Sequence, residues 1–175
     1  EDKEKFDMTE EQALAALHLV FQSPNQNIKI EFQGGEPLLN FPIIKYVVKE
    51  GERLNQEYKK NLQFVIATNL SFVDDEVIDF CAVHDVYLST SIDGPSDIHN
   101  KNRPRPGKNG HELTTKSLSK IQEALGFDRV SALLTTTAGA LDRVEEIIDE
   151  YLRLGFMNIF LRPLSPYGFA IKTKS

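Results

Sequence analysis

The sequence predicts an α/β fold of five parallel strands with helices on the outer face. Two observations carry this. Helical and strand-like stretches follow one another in the order α-β-α-β-α-β-α-β-α-β, an order that requires parallel strands joined by right-handed helical crossovers. The strand-like runs are short and apolar; Phe64-Val65-Ile66-Ala67 lacks any polar alternation, as expected of a strand buried on both faces. A chain of 175 residues, 41% of them hydrophobic, holds enough apolar surface for one domain with a sizeable core.

The first helix is read from about Thr9 to Phe21, with Ala13, Leu14, Leu17, Val20 and Phe21 at three- and four-residue spacing behind a Thr9-x-x-Gln12 capping pattern. Ile28 to Phe32 is a short strand closed by glycines, and Phe41 to Leu54 returns to helical spacing through Ile44, Val47, Val48 and Leu54. Phe64 to Ala67 is the second strand, followed by a helix from Asp74 to Phe80 with acidic first-turn residues. Val86 to Ser91 is the third strand. Between Ile92 and His111 stand Pro95, Pro104 and Pro106 with Gly94, Gly107 and Gly110, which reads as one long loop without regular structure. Leu113 to Leu125 is helical up to a Gly126 cap. Val130 to Thr136 is a strand, Leu141 to Leu154 a helix stopped by Gly155, and Asn158 to Leu161 a final strand. A first helix with no strand before it suggests that one strand and its loop lie upstream, and six strands with their helices would make an open barrel.

Composition excludes several classes. A net charge of −6 and a pI near 5.3 argue against a nucleic-acid surface, which needs clustered Lys and Arg. No apolar run approaches the ~20 residues of a membrane span, and the acidic start lacks a signal-peptide pattern, so a soluble, cytoplasmic protein is expected. The single cysteine, Cys81, rules out an internal disulfide and any multi-cysteine metal site within these residues. Opening on Glu1 rather than Met is consistent with processing or an excised segment.

In parallel α/β folds ligands bind at the carboxyl ends of the strands. Those ends read Gln33-Gly34-Gly35-Glu36, Thr68-Asn69, Ser91-Ile92-Asp93-Gly94-Pro95, Thr135-Thr136-Thr137 and Leu161-Arg162-Pro163. Gly34 and Gly35 let main-chain groups approach a small polar ligand without a Cβ in the way, Glu36 can accept hydrogen bonds from an ammonium, and Pro37 fixes the exit. An ordinary strand-to-helix turn with a solvated Glu has the same appearance, and strand ends are polar wherever loops are exposed. Asn69 and Ser91 say more, since they follow apolar runs where donors and acceptors need partners.

The set Phe32–Leu39 (Phe-Gln-Gly-Gly-Glu-Pro-Leu-Leu), Ala67–Asn69 (Ala-Thr-Asn), Ser91–Pro95 (Ser-Ile-Asp-Gly-Pro) and His99–Pro104 (His-Asn-Lys-Asn-Arg-Pro) resembles the core of radical S-adenosylmethionine (radical SAM) enzymes that modify peptides and proteins. The subgroup contains the anaerobic sulfatase-maturating enzymes and the maturases of ribosomally made peptides, many with an extra C-terminal cluster domain of the SPASM type. The resemblance runs from about residue 9 to residue 164. With Leu161 to Ala170 added, it is similar to the maturase of the His-Xaa-Ser peptide system.

The resemblance implies a partial (β/α)6 radical SAM barrel over residues 1–175, with the first strand and cluster loop upstream. It implies reductive cleavage of S-adenosylmethionine at a 4Fe-4S cluster, and a 5′-deoxyadenosyl radical that modifies a peptide or protein side chain. It assigns Gly34, Gly35 and Glu36, with Gln33 beside them, to the amino group of S-adenosylmethionine, Ser91 to its ribose or carboxylate, and Arg103 to its carboxylate. Asn69 would contribute a hydrogen bond near the cofactor, Leu161 an apolar contact to adenine, and Asp93 would line the substrate side or shape a turn. A guanidinium fork suits a carboxylate, though Arg103 beside Arg105 also fits a solvated loop arginine. Two departures stand out: Leu70 occupies the place of a family glycine, and the three cysteines in C-x-x-x-C-x-x-C spacing that hold the cluster are absent. Cys81 reads as buried packing, so the ligands would lie outside this segment, leaving it inactive alone. Sulfatase maturation to formylglycine and a cluster-free, peptide-binding barrel are the alternatives.

Overall fold

The computed structural model describes residues 7–163. Its elements are α1 (Glu10–Phe21), β1 (Asn27–Phe32), α2 (Phe41–Tyr58), β2 (Asn61–Ala67), α3 (Asp75–Val83), β3 (Val86–Ser91), α4 (Ser96–Asn102), α5 (Gly110–Leu125), β4 (Val130–Thr136), α6 (Val144–Arg153) and β5 (Phe160–Pro163). The strands are hydrogen-bonded in the order β1-β2-β3-β4-β5, and the five parallel strands with their crossover helices form the expected α/β fold. Among the described residues no helix is long and apolar enough to cross a membrane.

Thr9 caps α1 through a reciprocal capping box: its hydroxyl accepts from the Gln12 N–H, and the Gln12 side chain accepts from the Thr9 N–H. Asp74 caps α3 by accepting from the Val77 N–H, and Gly126, at φ 100°, ends α5.

One expectation is corrected. The stretch from Ile92 to His111 is not a structureless loop, since it contains α4 and the first two residues of α5. The prolines bound α4 rather than break it: Pro95 stands at its N-cap, and Pro104 follows Arg103, whose φ of −123° and ψ of 68° leave the helical region as a residue before proline must. The last strand also begins two residues later than expected, at Phe160.

The chain divides into two compact units, with the division falling inside β3. Unit one comprises residues up to Thr68 and Phe72–Leu88. Its core joins Ala13, Leu17 and Phe21 of α1 with Ile44, Val47, Val48 and Leu54 of α2, Phe64 and Ile66 of β2, and Val77, Ile78 and Cys81 of α3, all buried. Gly51 lets α2 approach β2, because a Cβ there would stand 2.8 Å from the Phe64 ring.

Unit two comprises Asn69–Ser71 and the chain from Ser89 onward. Its core draws Ile98 from α4, Leu118 and Ile121 from α5, Val130, Ala132 and Leu134 from β4, and Ile147 and Tyr151 from α6. Alternate burial along β4 puts Val130, Ala132 and Leu134 on the covered face and Thr135 on the other.

Candidate functional site

In unit one, β1 runs into Gln33 and then the two glycines. Gly34 takes φ 153°, a conformation L side chains rarely adopt, and a Cβ added at Gly34 or Gly35 would meet nothing within 4 Å. The backbone is therefore open to a ligand. Glu36 caps the short 3-10 turn Pro37–Asn40: its Oε1 accepts from the Leu38 N–H at 3.2 Å and from the Thr68 hydroxyl at 2.7 Å. Thr68 is buried at the end of β2, so this bond fixes the carboxylate on a rigid support. The Gln33 amide donates to Glu31 Oε1 at 2.7 Å.

In unit two, Asn69 Oδ1 accepts from the Ser71 N–H at 2.8 Å, closing a tight turn over Leu70. Leu70 takes φ 62° and is fully buried, so the left-handed backbone expected of a glycine is kept by a bulky residue. Ser91 ends β3, half-buried, on the sheet face opposite the buried Thr90.

Arg103 and Asp93 are brought together directly. The Arg103 Nε donates to Asp93 Oδ2 at 2.8 Å and its Nη2 to Oδ1 at 3.3 Å, with a further Nη2 contact to Thr135 Oγ1 at 3.4 Å. Asp93 is only 1% exposed and also accepts from the Thr135 N–H at 3.1 Å. The guanidinium that the resemblance directs to a ligand carboxylate is thus held by a protein carboxylate. Gly94, at φ 113°, lies against α6, where a Cβ would stand 2.7 Å from Ile147 Cγ1.

Around this pair runs a buried polar network whose members motif reading left without roles. The Asp93 N–H points at His99 Nδ1 at 3.4 Å, and burial drives the His99 pKa down to about 4, keeping the ring neutral. The His99 ring meets His111 edge to face at 5.6 Å, and His111 Nε2 lies 2.8 Å from Glu150 Oε1. Burial pushes the Glu150 carboxyl up, but Arg153 and His111 together hold it below the ordinary carboxylate range. The Tyr151 hydroxyl donates to the Ile92 carbonyl, and burial with the nearby Asp93 charge raises its pKa. The signal for these partners was weak: His99 stands four residues before Arg103, but His111, Glu150 and Tyr151 lie on other helices.

Register fixes the β5 residues. Leu161 pairs with the buried Leu134, and Arg162 pairs with Thr135, so Arg162 shares the Thr135 face and Leu161 the opposite one. Residues 164–170, which extend the resemblance, lie outside the described residues. Cys81 is buried among α3 core residues, and among the described residues no group of three His, Cys, Asp or Glu side chains could hold a metal ion. These residues do not fit a 4Fe-4S cluster, which takes several thiolates.

No family model matches the chain. An uncharacterised protein of Methanocaldococcus jannaschii is 29% identical over 167 residues, covering 94% of this chain and 56% of that protein. A cysteine-type anaerobic sulfatase-maturating enzyme of Clostridium perfringens is 27% identical over 183 residues, covering 95% and 47%. A radical SAM cyclopropyl synthase of Paramaledivibacter caminithermalis is 24% identical over 132 residues, covering 73% and 27%. The chain spans about half the length of the first of these relatives and less of the others. Among solved structures, anSMEcpe with bound AdoMet superposes with a TM-score of 0.79 at 19% identity, covering 91% of this chain and 44% of that one. Its complex with AdoMet and the Kp18Cys peptide also gives 0.79, at 20% identity, covering 91% and 44%. The chain is therefore a relative of radical SAM maturases and has the partial barrel fold of that group.

Proposed function

We propose that this chain is the S-adenosylmethionine-binding core of a radical SAM maturase acting on a peptide or protein side chain. One observation carries the reading: a turn with two open glycines and a carboxylate, at the carboxyl end of β1, in a chain related to maturases. Backbone groups at Gly34 and Gly35 approach the methionine moiety, and Glu36, fixed by Thr68, attracts its ammonium. The residues present do not hold a 4Fe-4S cluster; in this reading one bound elsewhere in the whole protein would supply the electron for reductive chemistry on S-adenosylmethionine. Its thiolates come from outside these 175 residues, so the chain alone is inactive. Formylglycine formation on a sulfatase is the second reading, favoured by the similarity to a sulfatase-maturating enzyme.

Calorimetric titration of the chain with S-adenosylmethionine tests this. Saturable binding, weakened about tenfold or more in Glu36→Gln by loss of a charge-assisted hydrogen bond, is expected. No measurable binding by the unmodified chain would overturn the reading.

A further inference from the structure

We infer that the loop between α4 and α5 is a docking surface for an acidic stretch of the polypeptide substrate; that the partner is a substrate rests on the maturase reading. Residues 101–111 carry Lys101, Arg103, Arg105 and Lys108 and no acid, in a chain whose net charge is −6. One of the four turns inward, since Arg103 is paired with the enclosed Asp93. Lys101, Arg105 and Lys108 are exposed, and none forms an ion pair or a side-chain hydrogen bond with another described residue. The acids nearest in sequence leave this charge standing: Asp97 is bound by Arg143, and Glu112 makes no ion pair among the described residues. Like charges gathered without partners repel one another, and an anionic ligand relieves that repulsion.

The loop is built before any ligand arrives. Pro104 and Pro106 fix φ at two positions, and Gly107 and Lys108 take φ 86° and 52° in a turn closed by the Lys108 N–H, which donates to the Arg105 carbonyl at 3.1 Å. The His111 N–H donates to Asn100 Oδ1 at 2.9 Å, which ties the far side of the loop to α4. The Arg105 stem lies against Gly110, where a Cβ would stand 3.3 Å from Arg105 Cδ, so the stem is held at the first residue of α5. Such preorganisation lowers the entropy cost of binding. The loop also stands at the end of unit two where the strands finish. At its root Arg103 meets Asp93, just after β3, and Thr135, near the end of β4. Lys101 Nζ would lie 3.9 Å from a Cβ at Gly139, in the turn that follows β4. A polypeptide approaching that end of the unit passes these cations. Among polyanions a short acidic stretch fits best: a nucleic acid would extend its charge beyond the loop over a chain of net −6, whereas a few carboxylates meet the loop alone.

Fluorescence anisotropy on the full chain compares a labelled Gly-Ser peptide interspersed with glutamates and the same peptide with each Glu replaced by Gln. At low ionic strength the glutamate peptide should bind about tenfold more tightly, as expected of three exposed charge pairs, and it should lose that advantage near about 1 M salt, where the screening length is about 3 Å. Lys101→Gln, Arg105→Gln and Lys108→Gln together should abolish the preference. Removing the same charge elsewhere, by Lys49→Gln, Lys116→Gln and Lys120→Gln, should leave it. All six side chains are exposed, so the thermal midpoint should not move in either variant. Equal affinity for the two peptides in the unmodified chain, or a preference that falls equally in both variants, would overturn the inference. So would tighter, loop-dependent capture of a single-stranded oligonucleotide of matching charge, which would assign the surface to a nucleic acid. Titration with S-adenosylmethionine keeps the two readings apart. A chain that binds it and shows no peptide preference loses only the docking surface, whereas one that prefers the glutamate peptide and binds no S-adenosylmethionine loses the assignment of that peptide as substrate.

Discussion

The turns after β1 and β3 use the same residue type for opposite ends. After β1, Gly34 and Gly35 face empty space, so what the missing side chains provide is access. After β3, Gly94 is buried, and its missing side chain admits the Ile147 side chain of α6. The carboxylates differ in the same sense. Glu36, part-buried, leans on a threonine and a backbone N–H, whereas Asp93 is enclosed and neutralised by Arg103. Glycine followed or preceded by an acid is therefore not one signal. In the first turn it opens a surface to a ligand, and in the second it closes a core around an ion pair.

The largest expected consequence lies in the second turn. Arg103→Ala leaves the Asp93 carboxylate buried with the Thr135 N–H as its remaining described donor, and removal of one partner from a buried pair costs about 3–5 kcal/mol. Urea unfolding should show that loss, while Glu36→Ala should cost about 1 kcal/mol, the scale of a lost cap. Equal losses for the two substitutions would erase the distinction between an enclosed and an open carboxylate.

The glycines provide the next contrast. Gly94→Ala meets both a φ of 113° and a contact of 2.7 Å with Ile147, so strain and overpacking together should cost about 2–4 kcal/mol. Gly35→Ala meets neither, and its stability should stay within about 0.5 kcal/mol of the unmodified chain. Its effect should fall instead on S-adenosylmethionine affinity. A Gly35→Ala chain that melts early while Gly94→Ala does not would invert the assignment of the two turns.

Local signals were legible wherever one residue decides the outcome. The Thr9–Gln12 box, the Gly126 cap and the apolar run before Ala67 each depend on neighbours within a few positions, and each element ends where it was read, although β2 and α5 each begin three residues earlier. The segment from Ile92 to His111 was misread because counting prolines ignores where they stand; Pro95 and Pro104 flank a helix they could not enter. Leu70 shows the converse, with a glycine-like φ of 62° held by burial that no local preference announces. The pairing of Arg103 with Asp93 was hidden for a different reason. The two stand ten positions apart across a helix, and a guanidinium suits a ligand carboxylate and a protein one equally.

The smallest effect concerns pH, and it isolates the enclosed turn from the open one. His99 is 2% exposed, with Asp93, Arg103 and His111 as the charged or titratable groups acting on it. Burial holds its pKa near 4, below the ordinary value of 6.5, so between those limits the unfolded chain binds the proton and the folded chain does not. Its folded-state pKa is depressed, so the neutral ring's full contribution is present above about 6.5 and is lost as the pH falls toward about 4. At pH 5 the deficit amounts to about 2 kcal/mol from this group. Glu150, whose pKa is also lowered, loses its contribution only below the ordinary carboxylate range, so the interval from pH 6.5 to 5 reports mainly on histidine. In His99→Asn a side-chain oxygen takes the place of Nδ1 as acceptor for the Asp93 N–H, and nothing in that side chain titrates. Unfolding free energies from urea titrations across this interval should fall with acidity in the unmodified chain and fall by about 2 kcal/mol less in His99→Asn. Identical slopes in both proteins would place the protonation elsewhere and leave the His99 ring as packing alone.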